Sequence, residues 1–228
     1  MEQENSMERA KDRILDAALL HAPFDGWSEA TLKAALSDSG VAAALGQALF
    51  PRGGVDLAVA YHRRGDQAMR EALAARDLAV LRMRDRITLA VRLRLEAADK
   101  ELVRRGSTLF GMPQHAAEGA GLIWATADAI WDAMGDGCRD LNWYTKRASL
   151  SAVYAATVLY WLGDHSEGNA DSWAFLDRRI ENVMQFEKAK AGLRENPVAK
   201  ALMSGPLKFL DKVRAPVPAD DLPGQTHS

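Results

Sequence analysis

The chain has 228 residues, 48% apolar and 26% charged, and a formal charge of −2 from 29 Lys and Arg against 31 Asp and Glu. That length can bury a proper core in one domain or two small ones, and the near balance of charge excludes a global field for nucleic acid or anionic lipid, leaving only local contacts. Cys138 is the single cysteine, so an internal disulfide is excluded; no apolar run approaches the about 18 residues that span a bilayer, and the acidic opening MEQENSMERAKDR fits neither a secretion signal nor a transit peptide, so a cytoplasmic protein is expected.

Ala, Leu, Arg, Glu and Met dominate without sustained alternation, which predicts an all-α fold. A first helix is expected over Met7–Leu20, with Ile14, Ala17, Ala18 and then His21 on its inner side, and a break at Pro23–Gly26. His21 has no second ligand beside it and reads as a packing or capping residue. Ser28 caps a second helix to Asp38, Ser39-Gly40 turns the chain, and Val41–Leu49 forms a third, the spacing of a helix-turn-helix. Pro51-Arg52-Gly53-Gly54 precedes a longer helix from Val55 to about Ala75. This order, with -ILDAAL- at its start and -LFPRGG- before the fourth helix, resembles the N-terminal domain of TetR-type repressors. Reading DNA takes polar side chains at base edges and cations on phosphates. The third helix, VAAALGQALF, offers Gln47 alone and no positive charge between Val41 and Phe50. It reads as scaffold without a DNA surface.

Between Val80 and Ala98, Ile87, Val91, Leu95 and Ala98 recur at helical spacing beside Arg82, Arg84, Arg86, Arg92 and Arg94. The plain reading is a helix with a solvated basic face; the sharper one is a patch for an anionic head group or partner. Lys100 to Arg105 continue the positive run as far as Gly106. Pro113 then suits a first helical position, with an apolar pattern to Met134. Gly135-Asp136-Gly137 supplies residues tolerant of positive φ, and Asp140 can cap the following helix. Trp124 and Trp131 share a face of the first of these two helices. Tyr144, Arg147, Ser151, Tyr154, Val158 and Trp161 form one stripe on the second. Large rings interleaved with Ala and Gly make either a packed core or a wide apolar pocket, and the pattern alone leaves both open.

His115 and Glu118 lie on one helix face, but a di-iron site needs Glu-x-x-His twice with two further Glu, so a hydrogen-bonded pair is the better reading. An enzyme built on these two residues is a third hypothesis that predicts bound metal. No nucleophile–base arrangement, phosphate loop or zinc spacing is present, and no catalytic residue, cofactor or metal is expected. Another helix is predicted from Asp171-Ser172 through Trp173, Leu176, Ile180, Val183 and Met184 to about Leu193. After Asn196-Pro197, the apolar Leu202, Leu207, Phe209, Leu210 and Val213 alternate with Lys208 and Lys212, the pattern of a helix lying in a membrane interface or packed on the body or a dimer mate. Gly205-Pro206 divides it. From Pro216 onward the composition predicts a disordered tail.

The central block from Ser107 to Asp164, above all D-x-N-W-Y-T-K-R at Asp140–Arg147, resembles the ubiquinone (coenzyme Q) biosynthesis accessory proteins, lipid-binding members of the TetR-fold superfamily found in mitochondria and many bacteria. The resemblance runs from Ile14 to about Lys190. It implies a TetR-like helical fold with a degenerate helix-turn-helix over 1–75, a lipid-binding helical body over 76–195, an amphipathic membrane helix over 196–215 and a tail over 216–228. It further implies a non-catalytic homodimer that binds no DNA, holds an isoprenoid quinone or phospholipid in an apolar cavity, and presents quinone intermediates to the demethoxyubiquinone hydroxylase. Carried onto the aromatic helices, the cavity is expected to involve Trp124, Trp131, Tyr154, Trp161 and Leu150. The partner patch falls on Trp131, Trp143, Tyr144 and Arg147, and the membrane helix on Leu202, Leu207, Leu210, Val213, Phe209, Lys208 and Lys212. The location implied is peripheral to the inner membrane of a bacterium, or the matrix side for a processed organellar form. The alternative is a TetR-type ligand-responsive regulator.

Overall fold

Helix-forming residues give helices throughout: the structure, a computed structural model, describes residues 2–137 and 141–195, and among them are nine α-helices, one 3₁₀ turn and no strand. The first helix, α1 (Glu2–Asp25), outruns its apolar pattern at both ends and passes through Pro23. Pro23 was expected to break it, but it lies in the last turn, and the chain reverses only at Gly26, whose φ is +67°. There Arg105 donates from Nε and Nη2 to the Pro23 carbonyl at 3.1 and 2.8 Å, satisfying one of the carbonyls that a helix end leaves open.

Ser28 starts α2 (Glu29–Ser39) as predicted, its hydroxyl accepting from the Thr31 N–H. Gly40 ends that helix in the left-handed region, and α3 (Ala43–Leu49) follows. The two helices cross closely at Gly46, where an added Cβ would lie 2.0 Å from Leu36 Cδ2. His21 bonds Asp38 at 2.7 Å and ties α1 to α2. Then come α4 (Gly54–Ala74), α5 (Met83–Glu96) and α6 (Lys100–Phe110). Gly106, expected to end the positive run, sits inside α6 without interrupting it.

Pro113 was expected to open the next helix, but α7 (Ala116–Ala133) begins three residues later. Residues 112–115 instead form a turn closed by the His115 N–H on the Met112 carbonyl at 2.9 Å. That turn folds α7 back over the end of α6, with Gly119 against Phe110, where a Cβ would sit 2.7 Å from Phe110 Cβ. Of the three-residue stop after α7, Gly135 takes positive φ. The cap proposed at Asp140 lies outside the described residues. The last elements are α8 (Leu141–Leu162), the 3₁₀ turn (Glu167–Asn169) and α9 (Ala170–Glu195).

Two apolar clusters hold these helices together. Ile14, Leu15 and Ala18 of α1, Leu32 and Ala35 of α2, and Leu57 and Ala58 of α4 form the N-terminal one, joined by Leu102 of α6. The body cluster takes Met69 and Leu73 from the far end of α4, Val91 and Leu95 from α5, Ile130 from α7, Leu150, Tyr154 and Trp161 from α8, and Leu176 and Ile180 from α9. So α4 serves both clusters, and the space beside it is walled by helices from each. Leu57 is fully buried in the N-terminal cluster. Truncating Leu57→Ala removes its transfer energy and leaves a void, so chemical denaturation should show a loss of about 3 kcal/mol with an unchanged m-value.

Candidate functional site

Between α4, α6, α7 and α8 lies a cavity of about 380 Å³, within the range of about 300–1,000 Å³ typical of small-molecule sites. Leu102, Val103, Phe110, Leu122, Ile123 and Val158 give it apolar walls, and Trp27 reaches in from the loop after α1, its Nε1 donating to the Leu102 carbonyl at 3.1 Å. The exposed residues along the cavity are Gly111, Ala116, Ala120 and Leu159, which place its mouth where the α6–α7 turn meets the end of α8. A larger cleft of about 780 Å³ runs between α1 and α4. It is a charged surface groove in which Arg64 pairs with Asp12 and Asp16, and Arg52 with Asp56. Enclosure and apolar lining single out the smaller space.

One side of the cavity is polar. Arg94, from α5, is buried there and donates from Nε to Asp66 Oδ1 at 2.6 Å and from Nη2 to the His62 carbonyl at 2.9 Å. Thr126 of α7 donates to the same Asp66 oxygen at 2.9 Å. With that hydroxyl proton committed, the 2.8 Å contact between His62 Nε2 and Thr126 Oγ1 assigns the donor role to the imidazole. Burial, helped by the Arg94 charge, lowers the His62 pKa to about 4, so the ring is neutral. Burial pushes the Tyr154 phenol upward, and Tyr61 likewise, so both stay protonated. The Tyr61 hydroxyl accepts the Asp99 N–H at 2.9 Å.

The aromatic residues of α7 and α8 mostly lie elsewhere. Trp124 and Trp143 have ring centroids 6.0 Å apart, and Trp143 meets Tyr144 edge-on at 4.8 Å, forming a half-buried aromatic surface. Lys146 sits 5.0 Å over the Trp131 ring and bonds Asp136. Beneath this surface Arg147 is 1% exposed. It donates to Asp128 from Nε, to Asp132 at 3.1 Å and to Asp136 at 3.2 Å, and its guanidinium lies 4.0 Å from the Trp143 ring centroid. Asp132 feels that packing: burial and the neighbouring Asp128 raise its pKa against the pull of Arg147.

These placements correct several expectations. Of the five residues assigned to the cavity, Tyr154 lines it. Leu150 and Trp161 are buried in the body cluster, Trp131 packs on that cluster, and Trp124 belongs to the surface aromatic group. The physical reason is rotation: the six-residue stripe of α8 takes its Trp161 end into the body cluster, with Lys100 of α6 5.3 Å from the ring centroid, while Tyr154 and Val158 face the cavity. Within the partner patch, Trp131, Trp143 and Tyr144 are partly accessible, whereas the guanidinium of Arg147 is internal and braces Trp143 from below. Arg94 is no part of a solvated basic face. It falls seven residues after Ile87 and three after Val91, on the apolar side, and that spacing was the available signal. His62 and Asp66 had no such signal, since their partners come from α5 and α7. Glu118 pairs not with His115 but with Arg52, both of its oxygens within 3.0 Å of that guanidinium. Among the described residues no group of His, Cys, Asp and Glu could hold a metal ion. Leu202, Leu207, Leu210, Val213, Phe209, Lys208 and Lys212 lie outside the described residues.

A helix-turn-helix in front of a helical body with an internal cavity defines a TetR-like architecture. The solved structure of a TetR transcriptional regulator from Nitrosomonas europaea matches it with a TM-score of 0.61, over 75% of this chain and 95% of that one at 18% identity, a likeness of fold. Residues 116–187, which carry α7, α8 and most of α9, match the COQ9 family model. The mitochondrial ubiquinone biosynthesis protein COQ9 of Drosophila melanogaster is 30% identical over 187 residues, covering 79% of this chain and 57% of that protein. The human protein of the same name is 28% identical over 190 residues, covering 79% and 59%. The chain is similar to the COQ9 ubiquinone biosynthesis proteins, and it spans about three fifths of the length of the curated relatives it matches.

The polar side of the cavity carries a pH dependence. A neutral buried His62 keeps its full contribution above its ordinary value near 6.5, and that contribution is lost as pH falls toward about 4, because the unfolded chain takes up the proton first. Unfolding free energies measured between pH 7 and pH 4.5 should fall by about 2 kcal/mol more in the wild type than in His62→Gln.

Proposed function

We propose that this chain is a non-catalytic lipid-binding protein that holds an isoprenoid quinone intermediate in the cavity between α4, α6, α7 and α8 and presents it to a demethoxyubiquinone hydroxylase at a membrane surface. The observation that carries the reading is the cavity itself: apolar walls, one polar side and an open mouth, in a chain similar to the COQ9 proteins. An amphiphile with a ring head and a prenyl tail matches that distribution of surface. No described helix is long and apolar enough to cross a membrane, so attachment at the surface is proposed, through the apolar and basic residues between Leu202 and Val213. A homodimer working on the cytoplasmic or matrix face completes the proposal.

The exposed face of α3 speaks against the regulator alternative. Ala43, Ala44, Leu45, Gln47 and Ala48 face solvent there, and a helix without cations neutralises no phosphate. For the hydroxylase, the half-buried rings of Trp143 and Tyr144 offer the aromatic anchor that protein interfaces favour, held from below by Arg147.

Two measurements check the proposal. Native mass spectrometry should find an isoprenoid or phospholipid with the purified protein, and Gly106→Leu should cut its occupancy at least about tenfold, because the new side chain enters the cavity while favouring helix; a wild type free of lipid under gentle conditions would refute the reading. Tyr144→Ala should weaken capture of the hydroxylase in a pull-down with lipid occupancy unchanged. Arg147 is unsuited to that test, since three carboxylates converge on its buried guanidinium and its loss would disturb the α7–α8 pair itself.

A further inference from the structure

The opening of α7 is held far less firmly than the rest of that helix. Its later turns are fixed, since Thr126 donates to Asp66 and Ala127, Ala129 and Ile130 are buried. Residues 111–121, GMPQHAAEGAG, carry few side chains that could bury anything. The N–H groups at the start of α7 receive no side-chain cap. Gly119 and Gly121 fall in its first two turns, where glycine weakens a helix relative to alanine. A Cβ built on Gly121 meets nothing within 4 Å. Segments with few buried apolar contacts and no caps are the ones that open locally. This one also supplies Gly111, Ala116 and Ala120 to the mouth of the cavity.

One ion pair ties the segment to another part of the fold. Arg52, in the loop before α4, donates from Nη1 and Nη2 to the two Glu118 oxygens at 3.0 and 2.9 Å. Its Nε and its backbone N–H each donate to Asp56 at 2.8 Å, so the guanidinium fork is already aimed where it meets Glu118. Among the described residues no other side-chain hydrogen bond or ion pair joins 111–121 to another element. A solvent-exposed pair of this kind is weak and screened by salt, which suits a contact that has to break and reform. We propose that residues 111–121 are a lid on the cavity mouth, hinged at Gly121 and latched by Glu118 on Arg52, whose opening sets how fast a lipid enters and leaves. This rests on the cavity being a lipid site and gives that site its gate. Neither Arg52 nor Glu118 lines the cavity, so the latch acts on passage and not on the affinity of what is bound.

The test uses the full chain and two readouts, the first of which needs no lipid. Amides of residues 119–122, bonded to carbonyls four residues back, should exchange hydrogen at least about tenfold faster than those of 127–130. Glu118→Gln should speed the first set about threefold and leave the second unchanged, and Gly121→Ala should slow the first set about threefold. The second readout is stopped-flow quenching of tryptophan emission by 2-geranyl-1,4-benzoquinone, with Trp27 on the cavity wall. Glu118→Gln should raise entry and exit rates together by about threefold with Kd unchanged, and adding Arg52→Gln should change nothing further, because both ends belong to one latch. Raising salt from about 0.05 to about 0.5 M should speed passage in the wild type and leave Glu118→Gln as it was. Equal protection of 119–122 and 127–130, or rates indifferent to both Glu118→Gln and Gly121→Ala, overturns the lid and leaves the lipid cavity standing. A change in exit alone makes Glu118 a binding residue and overturns the latch. Failure of the quinone to bind the wild type overturns the cavity reading and the gate with it.

Discussion

Arg94 and Asp66 lie together almost out of reach of water, 2.6 Å apart, on helices that belong to different parts of the chain. A pair so placed contributes little net stability, because both ions have given up their hydration, but losing either partner alone leaves a buried charge and costs about 3–5 kcal/mol. Its effect is on geometry. Asp66 fixes α4, Arg94 fixes α5, and Thr126 brings α7 to the same carboxylate oxygen. Three helices are thus held in one register around a point that is also a wall of the cavity. Most of the other structural features follow from where those helices are pinned.

Beyond the point where α4 and α7 are joined, the space beside them is walled by α6 and α8. Gly106, Gly111, Ala116, Gly119 and Ala120 line it with little volume, and the wall residues of α6 and α8 do not close the remainder. A void of this kind forfeits dispersion contacts and so costs stability. The same small residues that let α7 cross α6 closely at Gly119 also open the mouth. Packing and access therefore share one cause.

Arg147 is a second buried cation, and its role differs from that of Arg94. Three aspartates, two of them from α7 and one from the loop after it, converge on its guanidinium, which in turn supports the Trp143 ring from below. The outcome is a rigid aromatic surface on the outside of the α7–α8 pair, separate from the cavity. Trp143, Tyr144, Lys146 and Arg147 of the conspicuous D-x-N-W-Y-T-K-R string make this surface and its bracing.

From the sequence alone came the all-helical class, the Ser28 cap, the helix-turn-helix, the absence of cations on α3 and the family resemblance, because each is written in neighbours within a few turns of one helix. Tertiary structure decided which rings face a cavity and which face solvent or core. Trp124, Trp131 and Trp161 share the spacing and chemistry of Tyr154, and only the rotation of each helix against its neighbours separates them. It also decided the partners of the charges. Arg94 meets Asp66 from 28 residues away, and Glu118 meets Arg52 from 66. Periodicity gives a side chain's direction from its own helix axis, whereas a polar subsite needs the distance between axes, and that distance is set by packing across the whole molecule.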